Sequence, residues 1–319
     1  MKILNKKNIL KSMGILGIYL IVSFLINRNI FDSYIQLNLV IIGINIILAV
    51  SLNLITGFTG QFSLGHAAFM AIGAYASGVM TAKLGQPFII GILMAGIMAS
   101  IAGVLIGIPT LRLRGDYLAI ATLGFGEIVK ILAINNDYIG GAVGLNDIPQ
   151  YTNWTWLYFS VVTTIVVISN FVKSHNGRAC MSIREDEIAA EAMGVNTTYY
   201  KILVFTIGAF FAGIAGALYA NYFYFIKPDS FGFMKSVDIL VIVVFGGMGS
   251  ITGSIIGAIL LSVISLFLQG IPELRMVVYS IILFLIMVYR PQGIMGDKEF
   301  KLFDRRGALN GNASSKQSI

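Results

Sequence analysis

Charged residues are scarce in this chain of 319 residues: they make up 12% of it, whereas hydrophobic residues make up 57%. A soluble globular domain carries about 25% charged residues. The composition therefore excludes an ordinary soluble protein, and no polar stretch between the apolar runs is long enough to fold alone. The net charge of +7 does not indicate nucleic acid binding, because most of the basic residues fall on one side of the predicted membrane spans and do not cluster on a soluble face.

Residues for redox, metal or hydrolytic chemistry are also few. Cys180 is the one cysteine, so it forms no intrachain disulfide, and it is interpreted as structural. His66 and His175 are the only histidines and lie far apart in the sequence, without a metal-ligand pattern. Ser63 stands three residues before His66 on a run of small residues, which favours packing over catalysis. The sequence predicts neither catalytic nor metal-binding residues.

No nucleotide-binding loop is present. The phosphate-binding pattern G-x-x-x-x-G-K-[ST] is absent, and the glycine-rich stretch 246–254 has no lysine to reach phosphates. Gly124 and Gly126 start like a dinucleotide motif, but Val129 stands where the third glycine belongs. If ATP drives this protein, another chain must bind it.

What the chain has in abundance is apolar runs. A membrane-spanning helix needs about 20 mainly apolar residues. The sequence has ten such runs, of which the eighth is short and predicts a half-helix. No small-residue cleavage pattern follows the first run, which favours an uncleaved helix over a signal peptide. The runs are roughly 9–26, 35–55, 62–82, 88–108, 117–134, 154–173, 202–224, 237–246, 251–269 and 274–290.

The sequence thus predicts an all-α polytopic membrane protein. Residues 1–296 form its membrane domain, and the polar stretch 297–319 is predicted to be a disordered cytoplasmic tail. With ten spans and the N-terminus inside, 16 Lys and Arg residues lie inside, 5 lie outside, and Lys130 lies within a span. Because positive charge favours the cytoplasm, both termini and the polar loop 174–201 are predicted to be cytoplasmic.

The loop 174–201 is the one long polar helical pattern between apolar runs. Its centre, 184–194, reads as a short helix that stops at Gly194. Ala189, Ala190, Ala192 and Met193 give it a face of low bulk, which suits a groove in a soluble partner, and the charged residues form a rim. The alternative is a solvated amphipathic helix.

Several polar residues fall within or next to the apolar runs. Glu127 lies about 15 Å into the fifth span if that span enters near Tyr117. Lys130 follows three residues later, so either the two form an internal ion pair that fixes packing, or Glu127 serves a path or gate. The candidates for lining a solute path are Asn53, Ser63, His66, Thr122 and Glu127.

Two glycine-rich stretches, 57–60 and 246–249, each follow an apolar run and precede a further Ser or Thr and Gly. One interpretation is a weak internal repeat. Paired glycine-interrupted segments also mark broken helices around transport sites.

Three separated stretches carry a resemblance to a known family. They are Ser63 to Phe69 (SLGHAAF), Asp116 to Ile128 (DYLAIATLGFGEI), and Arg184 to Gly194 (REDEIAAEAMG) followed by Ile207 to Tyr219 (IGAFFAGIAGALY). In this order they resemble the LivM branch of branched-chain amino acid permeases, and 187–194 is similar to the coupling loop of ABC importer permeases. The similarity covers roughly residues 35–295.

The resemblance implies a helical-bundle permease subunit of an ATP-driven importer of Leu, Ile and Val, with no chemical reaction of its own. It also implies a second, LivH-like permease subunit, two cytoplasmic subunits that bind ATP and Mg²⁺, an extracytoplasmic binding protein and a lipid bilayer, but no nucleic acid. The residues that it assigns to contact with the ATPase are Arg184, Glu185, Asp186, Glu187, Ala189, Ala190, Glu191 and Gly194.

Three alternatives remain open at this point. A permease of the same family for urea, short amides or other amino acids would show the same motifs. A secondary transporter would use Glu127 as a proton site and need no ATP. A membrane enzyme would show catalysis without a partner ATPase.

Overall fold

The computed structural model describes residues 6–28, 30–110, 115–268, 277–278, 280–281, 284–285, 288–290 and 293–296. The predicted tail 297–319, most of the tenth apolar run, and Arg112 and Arg114 lie outside this part. Helices dominate the described residues. They are α1 (Lys6–Asn27), α2 (Ser33–Thr59), α3 (His66–Gly78), α4 (Phe88–Thr110), α5 (Asp116–Ile134), α6 (Trp154–Lys173), α7 (His175–Glu185), α8 (Glu187–Ala192), α9 (Thr197–Phe223), α10 (Phe233–Gly246) and α11 (Ile251–Phe267).

The first nine predicted runs each coincide with a helix. Five helices have the length and composition to cross a membrane: Ser33–Thr59, Phe88–Pro109, Asp116–Ile134, Trp154–Lys173 and Thr197–Phe223. The prediction of a short helix at the eighth run is confirmed, because α10 has only 14 residues. Its length is about 21 Å, whereas the hydrocarbon layer is about 30 Å thick. The protein is therefore an all-α, multi-pass membrane protein, while the number of ten crossings stays a prediction.

The third run begins as a helix four residues later than expected. Gly60, with φ of +72°, ends α2 in the left-handed region, and residues 61–65 form a loop before α3 starts at His66. Beyond Gly78, α3 continues as a π-helical turn over Val79–Lys83.

The centre of the bundle is the contact of α3 with α4 and α9. A Cβ atom added to Gly73 of α3 would lie 2.2 Å from the Gly213 carbonyl oxygen of α9. A Cβ atom on Gly216 would lie 2.0 Å from the Met70 oxygen, and one on Gly213 would lie 2.4 Å from the Ala95 oxygen of α4. Small residues allow such close approach of helix backbones in lipid.

The connecting segments gather at two ends of the bundle. At the end that carries α8, the segment 57–61 meets 184–187 and 246–250. At the opposite end, residue 145 pairs with 226 in an isolated β-bridge, and Lys83 donates to the backbone oxygen of Tyr138. The charge count assigns the segments at the α8 end to the inside and those at the opposite end to the outside. The structure therefore agrees with the predicted alternation of the chain between two ends. Which end faces the cytoplasm stays a prediction.

The close approach of α3 and α9 can be tested with two matched glycine substitutions. Gly73→Ala should lower stability by about 1–3 kcal/mol, because its Cβ overlaps a backbone oxygen that cannot rotate away. Gly124→Ala meets nothing within 4 Å, so it should leave stability unchanged or raise it by up to about 1 kcal/mol. Thermal unfolding of the purified protein in detergent measures both, and equal melting temperatures would contradict the packing described.

Candidate functional site

The predicted single helix over 184–194 is two helices. The chain breaks at Asp186, whose backbone is extended (φ −158°, ψ 112°) and whose carboxylate accepts hydrogen bonds from the backbone nitrogens of Ile188 and Ala189. An aspartate in this position caps the start of a helix. The prediction of one continuous helix is therefore wrong: α7 ends at Glu185 and α8 starts anew at Glu187.

The predicted stop at Gly194 is confirmed. Gly194 has φ of +84°, and the backbone nitrogens of Gly194 and Val195 donate to the oxygens of Glu191 and Ala190. This pair of hydrogen bonds defines a Schellman motif, which favours glycine at the left-handed position. As a result α8 is a helix of six residues with a cap at each end.

Two long-range contacts fix α7 and α8 to the bundle. The Arg184 guanidinium donates to the Gly57 backbone oxygen at 3.0 Å, at the end of α2. The Lys201 ammonium group, on a nearly buried side chain of α9, lies 2.6 Å from the Glu187 carboxylate of α8. One anchor thus comes from each of the two longest helices in the described part of the chain.

Cys180 packs on the inner side of α7. Its thiol is buried, and burial raises the pKa of Cys180 to about 11, against a weaker opposing effect of a hydrogen bond with Thr59. A protonated thiol is a poor nucleophile. The structure therefore gives Cys180 a packing role, as interpreted from the sequence.

The candidate partner-contact residues divide into two groups. Five of them lie on the exposed surface: Glu185, Asp186, Ala189, Glu191 and Gly194. Ala190, however, is buried within the chain, and Arg184 and Glu187 are partly covered by the contacts that hold α7 and α8 in place. Of the expected small-residue face, only Ala190 turns into the chain, whereas Ala189, Ala192 and Met193 are exposed.

Sequence reasoning left Ile188 out of this surface. Ile188 in α8 and Met193 directly after it are 66% and 84% exposed. The two side chains add exposed apolar surface beside the exposed Ala189. The signal in the sequence was an isoleucine within a run of acidic residues and alanines.

Among the candidates for a path, Asn53 is fully buried in α2. Its amide nitrogen donates to the Ser250 backbone oxygen at 2.9 Å and the Ser254 hydroxyl at 2.7 Å, and its amide oxygen accepts from the Gly249 nitrogen at 2.8 Å. Asn53 thereby connects α2 to the glycine-rich stretch 246–249. Gly57, in the other glycine-rich stretch, also lies against Gly249. Whether these stretches are an internal repeat stays a prediction.

Ser63, His66 and Thr122 come together near Gly65. The Thr122 hydroxyl accepts from the Leu64 nitrogen at 3.0 Å, and a Cβ atom on Gly65 would lie 2.4 Å from the Thr122 backbone oxygen. His66 Nε2 lies 2.9 Å from the Ser51 hydroxyl. All three candidates are buried: His66 joins α3 to α2, Thr122 joins α5 to the loop before α3, and Ser63 accepts from the Gly65 nitrogen within that loop.

Glu127 stands apart from these residues on α5. Its expected ion pair with Lys130 is not formed: the Lys130 ammonium group lies 2.8 Å from Asp229, in the turn between α9 and α10. That contact holds the pKa of Asp229 below its usual range, through the hydrogen bond from Lys130. Lys130 therefore pairs with a residue from a distant segment and not with its i,i+3 neighbour Glu127. Glu127 itself is half-buried.

With this geometry in place, the chain was compared with known proteins. A family described as "Branched-chain amino acid transport system / permease component" matches residues 34–287. The chain belongs to this permease family. It is 39% identical to the high-affinity branched-chain amino acid transport system permease protein LivM of Escherichia coli, covering 84% of this chain and 71% of that protein.

Two further relatives fit the same family. The LivM permease of Salmonella typhimurium is 39% identical over 79% of this chain and 68% of its own length. The LivH permease of the same organism is 27% identical over 79% of this chain and 91% of its own length. No solved structure shows a significant match. The resemblance seen in the sequence is thus confirmed.

The anchoring of α8 in this permease can be tested through its ion pair. Lys201→Met removes one partner and leaves the half-buried Glu187 carboxylate uncompensated, which costs roughly 1–3 kcal/mol. Amide hydrogen exchange over residues 187–193 should then accelerate about tenfold or more. The double variant Lys201→Met/Glu187→Leu should recover part of the loss. Unchanged exchange in the single variant would show that this pair does not hold α8.

Proposed function

We propose that this chain is a membrane-spanning subunit of an ATP-driven importer of branched-chain amino acids and forms half of its translocation path. A separate pair of ATPase subunits hydrolyses ATP and docks on α8 at the cytoplasmic end. Family membership supports the class of transporter, because the matched region includes nearly all of the described helices after α1. In this proposal the chain carries out no chemical reaction.

The observation that carries the docking proposal is the combination of exposure and anchorage at α8. Ile188, Ala189 and Met193 are exposed, and a rim of Glu185, Asp186 and Glu191 surrounds them. A partner groove with an apolar floor and basic edges fits such a surface. Because Arg184 and Lys201 join this region to α2 and α9, a force on α8 reaches the spanning helices.

The remaining partners follow from the same assignment. Relatives named LivM and LivH both match this chain, which supports a second, related permease beside it. The complex would also contain an extracytoplasmic binding protein, and both termini of this chain would be cytoplasmic, in line with the charge asymmetry.

Leu, Ile and Val are the proposed substrates. The relatives are named for branched-chain amino acids, which favours these over urea or short amides. Reconstitution in liposomes of this chain with its partner permease, ATPases and binding protein tests the proposal. ATP-dependent uptake of radiolabelled leucine is the expected result, and uptake of urea or amides in its place would reject it.

Docking on α8 predicts the effect of a bulky substitution. Ala189→Trp should abolish association of the ATPase or reduce transport at least tenfold, since an indole does not fit where a methyl group did. Co-purification of the ATPase and ATP-dependent uptake measure the two effects. Val143→Trp, at an exposed position at the opposite end, is the control and should keep the ATPase bound. Normal uptake by Ala189→Trp would refute docking here.

Glu127 separates ATP-driven from proton-driven transport. Glu127→Gln removes the charge and keeps the size of the side chain. Under the ATP-driven mechanism, uptake should stay within about twofold of the wild type. A proton-driven transporter would instead lose uptake and would respond to a pH gradient without ATP. Uptake in liposomes with either ATP or an imposed pH gradient distinguishes the two mechanisms.

A further inference from the structure

A polar cavity of about 330 Å³ lies between α2, α9, α10 and α11. Its polar wall includes Asn38 and Asn45 from α2 and Ser262 and Ser265 from α11. Hydrocarbon disfavours such groups, so within a membrane they usually face a water-filled or ligand-filled space. The volume falls at the small end of the range of small-molecule sites, about 300–1,000 Å³.

The cavity occupies the half of the bundle away from α8. Helices α2 and α10 begin, and α9 and α11 end, on this side. Asn45 lies twelve residues after the first residue of α2, or about 18 Å along the helix. The cavity therefore reaches from the end opposite α8 toward the middle of the bundle, where a solute released at that end would enter.

Two opposite charges line the same cavity. Lys235 and Asp238 stand three residues apart on α10, and both are half-buried, so their side chains share one face of the helix. The Lys235 ammonium group donates to the Asn45 amide oxygen at 3.5 Å, and the Asn45 amide nitrogen donates to the Ser262 hydroxyl at 3.0 Å. Charge and hydrogen-bonding groups thus form a connected polar wall.

Apolar side chains line the same cavity. Ile41 of α2, Ile242 of α10 and Phe223 of α9 supply it, and the Phe223 ring packs at 4.6 Å from the Tyr219 ring. A ligand that fits this space is small, carries both signs of charge and has an aliphatic group. An aliphatic α-amino acid has these properties. Urea and short amides lack the charges.

We propose that this cavity binds the free aliphatic α-amino acid as it crosses the membrane. The α-carboxylate is bound by Lys235, the α-ammonium group by Asp238, and the side chain lies against Ile41 and Ile242. The inference rests on the proposed function for its class of substrate and adds the residues of this chain that recognise it. Sequence reasoning missed both charges: Lys235 was counted as an outside loop residue, and Asp238, the second residue of the eighth run, was not considered.

Binding of radiolabelled leucine to the purified complex in detergent, without the binding protein, tests the two charges. Competing ligands are leucine, leucinamide, which lacks the carboxylate, and 4-methylpentanoate, which lacks the ammonium group. With the wild type, each analogue should bind about tenfold more weakly than leucine, since a charge-assisted hydrogen bond is worth at least that factor.

Each variant should lose the discrimination that its charge provides. In Asp238→Asn, leucine should bind about tenfold more weakly and no better than 4-methylpentanoate. In Lys235→Met, the affinity for leucine should fall to the affinity for leucinamide. Asp137→Asn and Lys227→Met change exposed charges at the same end and should discriminate as the wild type does. Full discrimination in the cavity variants would overturn the proposal.

A third variant fills the cavity and leaves the charges intact. Ser265→Leu should reduce leucine binding and uptake at least tenfold while the complex still assembles. Val263→Leu, on the exposed face of the same helix, is its control. If the wild-type complex takes up no branched-chain amino acid, the proposed function fails. If it does and Ser265→Leu matches it, the site alone is rejected.

Discussion

The close approach of α3, α4 and α9 is the constraint on which the rest of the structure depends. Lipid gives apolar side chains no incentive to leave it for a protein core, so helix association relies on close packing. Gly73 and Gly213 bring α3 and α9 so near that a single added methyl group would overlap a backbone oxygen. The glycines and alanines of α3 and α9 are therefore what make this region a single packed body.

That packed body gives α8 a firm base. The Gly57 oxygen that binds Arg184 lies at the end of α2, and Lys201, which binds Glu187, lies in the second turn of α9. Because α9 also packs on α2 and α3, displacing α8 means moving a central helix or breaking a hydrogen-bonded charge. In the proposed importer, a displacement of α8 by the ATPase would therefore be transmitted to α2 and α9.

The sequence predicts the helices well because each spanning helix must satisfy its own backbone hydrogen bonds in lipid. Length and apolarity then suffice to place α2, α4 and α9. It predicts side-chain partners poorly, because these depend on distant segments. Lys130 pairs with Asp229 instead of Glu127, and Asp186 breaks a run of good helix formers by capping α8. Both outcomes depend on tertiary placement, which neither local spacing nor helix propensity contains.

The helix α2 links the two regions that the proposals concern. At the α8 end, Asn53 and Gly57 bind the segment 249–254 and Arg184. Nearer the opposite end, Asn45 lines the polar cavity and contacts Lys235 and Ser262. Because α2 is one unbroken helix of 27 residues, a single element joins its Gly57 end to Asn45. In the proposed importer, a tilt of α2 would change the α8 end and the cavity in one movement, so alternating access would need no chain of intermediate contacts.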